Sequence, residues 1–185
     1  DYASMVRLVN AGIRAAREIG GKELLIMIHL DQGGRYFYLK DWFDRAFEAG
    51  LSDFDVIGLS YYPFWHGTLD ELEYNMRDME RRYHKELVVA EVSMGFTMDD
   101  YADYEKLEPD ERKGMATKPE LVENLQYPMT KKGQSDFMQD IMERISSIPG
   151  GRGFYYWEPG WIPVSGCGWA TEAALAYTGE KGPGG

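Results

Sequence analysis

Four apolar runs rich in β-branched residues constrain the fold of this 185-residue chain more than any other feature. They occupy residues 23–30 (ELLIMIHL), 54–62 (FDVIGLSYY), 86–94 (ELVVAEVSM) and 153–157 (GFYYW). Their apolar character is nearly continuous, whereas a strand with one face in water alternates apolar and polar residues. The runs therefore predict four strands that are buried on both faces, as in a parallel sheet.

Segments with helical periodicity alternate with these runs, at residues 4–19, 41–49, 70–83 and 134–148. Apolar residues recur in them at i, i+3 and i+4 spacing. Thr68 followed by Glu71 is typical of a capping box before the third segment, and Pro149-Gly150-Gly151 ends the fourth. The order predicts helix, strand, helix, strand throughout.

The first three runs begin about thirty residues apart, which is room for a strand and a crossover helix. Such units build either a (β/α)8 barrel or a doubly wound sheet. Polar residues at the predicted carboxyl ends of all four strands favour the barrel, where those ends converge on the catalytic face. A doubly wound sheet would show a Gly-rich phosphate turn, and DQGGR at 31–35 lacks its spacing.

The connection at residues 95–132 is long, acidic and contains proline. It follows the third predicted strand, where barrel enzymes carry functional loops. We therefore predict that it forms a lid or a groove wall.

Composition narrows the classes of partner. A net charge of −11 repels the phosphate backbone, which argues against nucleic acid. No stretch approaches the roughly 20 apolar residues of a membrane helix. The single cysteine, Cys167, cannot form an internal disulfide, and no Cys/His cluster has zinc-finger spacing. We expect neither a nucleic-acid nor a membrane partner.

Glu91 is the strongest candidate for a catalytic group. It follows Val88, Val89 and Ala90 inside an apolar strand, where an unpaired charge is costly. Catalysis and a structural ion pair with an arginine are both compatible with that position. Tyr61 or Tyr62 could donate a hydrogen bond that orients Glu91, although ordinary core aromatics would look the same in sequence.

Other candidates surround the predicted strand ends. Trp65, Trp157 and Trp161 offer flat apolar faces for sugar rings, with core filling as the alternative. Contact with substrate is also predicted for His29, Asp31, Ser60, Tyr61, Tyr62, His66 and Glu158. A metal site built from His29, His66, Asp31 and Glu91 is an alternative, but no HxH or HExxH spacing supports it. We therefore predict no cofactor.

Five stretches together resemble glycoside hydrolase family 53, the arabinogalactan endo-β-1,4-galactanases. They are HLDQGG (29–34), GLSYYPFWHGTLDEL (58–72), VVAEVSMGFT (88–97), KGMATKPEL through YPMTKKGQSDFM (113–138) and PGGRGFYYWEPGWIPVSGCGW (149–169). The resemblance implies a (β/α)8 barrel of the retaining glycosidases, with an acid/base Glu after strand 4 and a nucleophile after strand 7. Glu91, in VVAEVS, matches the nucleophile. The acid/base is then expected upstream of Asp1.

Under this resemblance the four strands correspond to strands 5 to 8. Residues 1–185 are then expected to be the C-terminal half of one catalytic domain, truncated at both ends. Such a half-barrel would have open sheet edges that favour self-association, and the isolated chain is expected to be inactive.

The implied reaction is hydrolysis of β-1,4-galactosidic bonds in galactan and arabinogalactan by an exported enzyme. The resemblance implies that Glu158 orients substrate or groups near the nucleophile instead of replacing the acid/base. A structural calcium occurs in bacterial relatives, but the acidic residues Asp99, Asp100, Asp103 and Glu105 lack a ligand pattern. Three alternatives stay open: a mannanase-like or cellulase-like barrel, a non-catalytic carbohydrate-binding fragment, and a metal-dependent hydrolase centred on His29, Asp31 and Glu91.

Overall fold

The computed structural model describes residues 1–106, 108–109, 118–123 and 125–157, except the side chains of 100–103. Its main elements are α1 (Tyr2–Gly20), β1 (Met27–Leu30), α2 (Tyr36–Glu48), β2 (Val56–Tyr61), α3 (Leu69–Tyr83), β3 (Glu86–Val92), α4 (Pro119–Val122), α5 (Lys131–Ser146) and β4 (Gly151–Tyr156). A 3₁₀ helix, Asp99–Lys106, follows β3 in the predicted lid segment. The predicted alternation of helices and strands is therefore confirmed.

Side-chain caps explain where three of the helices begin. The Asp1 carboxylate accepts from the backbone N–H of Ser4 at the start of α1. Thr68 and Glu71 form the predicted capping box at α3, and the Thr130 hydroxyl accepts from Gly133 N–H at α5. None of the described helices is both long and apolar enough to cross a membrane.

Two predicted starts differ from the structure by four residues or more, and the other boundaries differ by three or fewer. Helix α2 begins at Tyr36 instead of residue 41, because its first turn is aromatic and carries no side-chain cap that the sequence could reveal. Strand β1 begins at Met27 instead of residue 23, because 22–24 form a turn and Leu25 is exposed.

The four strands form one parallel sheet in the order β1-β2-β3-β4. Each helix packs against the next one of the α1, α2, α3 and α5 series, which places them together along the sheet. A doubly wound sheet reverses its strand order at a switch point, and this sheet does not. The consecutive order is that of a (β/α) barrel.

The two faces of the sheet differ in burial. Ile57, Leu59 and Tyr61 of β2 and Leu87 and Val89 of β3 have no exposed surface and join the core shared with the helices. We call this the outer face, as in a barrel. The opposite, inner face is open at its two edge strands, where Met27 of β1 is 37% exposed and Tyr155 of β4 is 67% exposed.

A bulge in β3 decides which face Glu91 occupies. Leu59 pairs with Val89, but the next residue, Ser60, pairs with Glu91, so Ala90 is an extra residue in β3. Side chains alternate between faces along a regular strand, which would put Glu91 on the outer face with Val89. The bulge instead sets Glu91 beside Ser60 on the inner face.

Candidate active site

Glu91 lies at the carboxyl end of β3 with its side chain 23% exposed. Its Oε2 accepts a hydrogen bond of 2.8 Å from the Tyr62 hydroxyl, and its Oε1 lies 4.0 Å from His29 Nε2. Among the described residues, no Lys or Arg forms an ion pair with Glu91. The described polar neighbours of Glu91 are therefore a phenol and an imidazole.

His29 connects the ends of the first two strands. Its Nε2 lies 2.9 Å from the Ser60 hydroxyl, on the side of the ring that also approaches Glu91. The side chain of His29 is 34% exposed, so a ligand on the inner face can reach it. The ends of β1, β2 and β3 therefore meet around one carboxylate, as in a barrel active site.

Aromatic side chains border Glu91. The Tyr62 ring lies edge-on to Trp65, at 5.8 Å between ring centroids, and edge-on to His66, at 5.6 Å. Trp65 and Trp157 are both partly exposed. The backbone N–H of Trp157 donates to the Val92 carbonyl, which holds Trp157 at the same end of the sheet as Glu91. Carboxylate and aromatic faces together suit a sugar ring.

Three of the residues predicted to contact substrate are buried in the described structure. Tyr61 lies on the outer face, stacks on Phe137 and donates its hydroxyl to the Gly67 carbonyl. Ser60 is 5% exposed and lies beneath His29, and His66 is 6% exposed beside Tyr62. In the described structure these three residues pack behind the more exposed side chains near Glu91.

Of the remaining residues predicted to contact substrate, one lies on the described surface and two lie outside the described residues. Asp31 is exposed at the end of β1, where its charge raises the pKa of Tyr38. Glu158, Trp161 and Cys167 lie outside the described residues. Within the part of the chain that the structure describes, there is no group of three or more His, Cys, Asp or Glu side chains that could hold a metal ion. His29, Asp31 and Glu91 therefore do not form such a group.

Sequence reasoning missed the residues that hold the segment after Glu91. The Tyr156 hydroxyl donates to the Met94 carbonyl at 2.8 Å, and the Gln134 side-chain amide donates to the same carbonyl and to the Tyr156 oxygen. These contacts join β4 and α5 to the end of β3. The three residues are far apart in sequence, so no local pattern could have revealed them.

Known proteins resemble the chain over nearly its whole length. The sequence model described as Glycosyl hydrolase family 53 matches residues 1–181. The endo-beta-1,4-galactanase of Bacillus subtilis is 32% identical over 199 residues, which span 97% of this chain and 43% of that protein. The arabinogalactan endo-beta-1,4-galactanase of Cellvibrio japonicus is 30% identical over 159 residues, spanning 84% of this chain and 39% of that protein.

A solved structure also resembles the fold. The Ignisphaera aggregans GH53 catalytic domain aligns with a TM-score of 0.75 and 30% identity, covering 90% of this chain and 44% of that chain. This chain thus spans less than half the length of the relatives it matches. The half-barrel arrangement of its strands agrees with that coverage. With a family match that extends over residues 1–181, the chain belongs to glycosyl hydrolase family 53.

Proposed function

We propose that this chain forms the second half of a (β/α)8 enzyme that hydrolyses internal β-1,4-galactosidic bonds of galactan and arabinogalactan with retention of configuration. One observation carries the proposal: Glu91 stands on the inner face at a strand's carboxyl end and is held there by the Tyr62 hydroxyl. The names of the Bacillus subtilis and Cellvibrio japonicus relatives supply the substrate class.

In the proposed reaction, Glu91 attacks the anomeric carbon. The bond to the leaving oxygen breaks, and that oxygen takes a proton from an acid/base carboxyl in the residues that precede Asp1 in the whole enzyme. Water then cleaves the galactosyl-Glu91 ester as the acid/base accepts a proton, which requires the two carboxyl groups about 5 to 5.5 Å apart. Tyr62 occupies Oε2, so Oε1 is the attacking oxygen.

Substrate contact is proposed for the accessible residues around Glu91. Trp65 and Trp157 would stack on galactosyl rings, while His29 and Asp31 would bind hydroxyl groups. Trp161 and Glu158 are proposed for the same groove on the resemblance of WEPGW alone. Because galactan is too large to enter a cell, we also propose that the whole enzyme is exported.

Substitution of Glu91 tests the function. In the whole enzyme, Glu91→Gln should lower galactan turnover by roughly 10³-fold or more while oligosaccharide binding persists, because the amide cannot form the ester. Glu86→Gln is the matched control at the other end of β3, where Glu86 pairs with exposed Arg152. It should leave turnover near wild type.

Reducing-sugar release from galactan, mannan and cellulose separates the alternatives. Release from mannan or cellulose alone would correct the substrate. Tryptophan-fluorescence titration with galacto-oligosaccharide, with no reducing ends released by the unsubstituted enzyme, would instead identify a carbohydrate-binding protein. Equal turnover in the Glu91 and Glu86 variants would remove Glu91 from the mechanism.

A further inference from the structure

His66 occupies a buried position directly behind Tyr62. Its Nδ1 lies 3.0 Å from the Ser60 carbonyl oxygen and 3.2 Å from the Tyr62 backbone nitrogen. Its own backbone N–H donates to the Tyr62 carbonyl at 2.9 Å. The imidazole therefore spans Ser60 to Tyr62, the segment in which the chain leaves β2.

One ring nitrogen cannot serve both neighbours in the same way. A protonated Nδ1 donates to the Ser60 carbonyl, whereas a bare Nδ1 accepts from the Tyr62 N–H. The Ser60 carbonyl already accepts a hydrogen bond from Gly33 N–H at 2.9 Å. If Nδ1 accepts from the Tyr62 N–H, that carbonyl therefore still has a hydrogen-bond donor. Either arrangement ties the imidazole to the Ser60–Tyr62 backbone, from which the Tyr62 ring projects toward Glu91.

Burial supports a neutral ring. It lowers the pKa of His66, against the opposing effects of the Ser60 carbonyl and the Asp31 and Glu91 carboxylates, while Arg35 acts in the same direction as burial. A neutral imidazole keeps an acceptor lone pair at pH 7, which the arrangement with Tyr62 requires.

The surroundings hold His66 itself in place. Gly34 packs so closely that a Cβ there would lie 1.8 Å from the His66 carbonyl oxygen. The Asn75 side-chain amide donates to the Gly33 carbonyl at 2.7 Å and so anchors that turn to α3. Edge-on packing of the His66 ring against the Tyr62 ring then restricts the phenol.

We propose that His66 is a positioning residue that acts through Tyr62: it holds the phenol where its hydroxyl meets Oε2 of Glu91. The inference deepens the proposed function and rests on Glu91 being the nucleophile. The sequence predicts that His66 contacts substrate, so neither the sequence nor the family resemblance assigns this positioning role.

Covalent labelling of Glu91 isolates this step. In the whole enzyme, 2-deoxy-2-fluoro-β-galactosyl fluoride should react by attack of a Glu91 oxygen on C1, with cleavage of the C–F bond and departure of fluoride. No proton donor is needed, so the rate reports the nucleophile alone. Intact mass gives the rate, and peptide mapping locates the label.

Four variants and one exposed control separate a positioning role from general damage to the fold. Tyr62→Phe should slow labelling by roughly 10-fold to 100-fold because it removes the hydrogen bond to the charged Glu91 carboxylate. His66→Leu should slow labelling by a similar factor because the donor of that bond is no longer held in place. The double variant should be no slower than Tyr62→Phe, since the two act in series. His66→Asn should recover most of the rate because its side chain keeps a polar group near the Nδ1 position, and His84→Asn is the exposed control.

A second measurement keeps the inference separate from the proposed function. In enzyme labelled with ¹³C at the tyrosine Cζ, the Tyr62 signal, assigned with Tyr62→Phe, should move in His66→Leu and stay in His84→Asn. If the unsubstituted enzyme takes no label at Glu91 but this signal moves, Glu91 is not the nucleophile and the catalytic consequence is lost, although His66 still positions the Tyr62 phenol. Labelling of His66→Leu at the wild-type rate, or effects of His66→Leu and Tyr62→Phe that multiply, would overturn the positioning role.

Discussion

Two adjacent tyrosines have opposite environments at the end of β2. Tyr61 continues the outer, fully buried row of Ile57 and Leu59, whereas Tyr62 turns inward to Glu91. The sequence predicted that one of the two would contact Glu91 but not which one. The alternation of large Ile57 and Leu59 with small Gly58 and Ser60 carries that information, because the large side chains belong to the packed face.

Exchange of each tyrosine for phenylalanine should give opposite results. Tyr62→Phe removes the hydroxyl from Glu91 and should lower kcat/KM of the whole enzyme by roughly 10-fold to 100-fold with little change in stability. Tyr61→Phe leaves the Gly67 carbonyl without its donor and should cost about 1 kcal/mol of stability with turnover retained. Galactan kinetics and urea unfolding check the pair, and matching effects of both variants would contradict the assignment.

At the scale of elements, the sequence predicted which segments are strands and where the candidate carboxylate, Glu91, would lie along β3. It did not predict the bulge at Ala90. In a strand without a bulge, side chains alternate between faces, so Glu91 would lie on the outer face with Leu87 and Val89, beneath the helices. The register shift arises from pairing with β2, so it cannot be found in the residues of β3 alone.

The capping box at α3 is an element feature that a substitution can test. Thr68→Ala removes the hydroxyl that accepts from Glu71 N–H and should destabilise the protein by about 1 kcal/mol, as the first turn of α3 loses its acceptor. Thr68→Ser keeps the hydroxyl and should stay close to wild type. Urea unfolding at pH 7 measures both, and equal losses in the two variants would show that the methyl group, not the cap, matters.

At the scale of the whole molecule, ion pairs on the helices determine the response to acid. Burial disfavours the charge on Asp78 and Asp140, but hydrogen bonds from Arg81 and Arg82 to Asp78 and from Arg144 to Asp140 outweigh it. The pKa of each carboxyl is therefore lowered. A lowered folded pKa contributes stability above the unfolded value of about 3.9, and that stability is lost as pH falls through the folded pKa.

The free energy of unfolding should accordingly fall as pH drops below about 4. Urea midpoints measured from pH 7 to pH 3 check the direction. Asp78→Asn should lower stability at pH 7 and make the decline in acid shallower, because the variant has one fewer carboxylate to protonate. A midpoint that rises on acidification would contradict the assignment.

The open inner face predicts self-association of the 185-residue chain when it is made alone. In the described sheet, β1 and β4 each pair with another strand on one side only. Tyr155 of β4 is 67% exposed on the inner face. Sedimentation should give a mass above 21.2 kDa that rises with concentration. Tyr155→Lys should shift the chain toward monomer, whereas Tyr74→Lys on α3 should not; a monomer at every concentration would contradict this.

The same chain should not hydrolyse galactan by itself, because the proposed acid/base lies outside its 185 residues. Incubation with galactan and analysis of released oligosaccharides checks this, with the Glu91→Gln chain as the blank. Release that disappears with Glu91→Gln would show that the chain holds both groups the reaction needs.

The consecutive strand order has a further consequence for how such a molecule can be divided and rebuilt. No strand from a remote part of the chain lies between two of the four, so each strand pairs with strands that are its neighbours in sequence. The segment from β1 to β4 can therefore be exchanged between barrels if the free edges of β1 and β4 match their new neighbouring strands. The contacts of Glu91 with Tyr62 and His29 lie within this segment and are transferred with it.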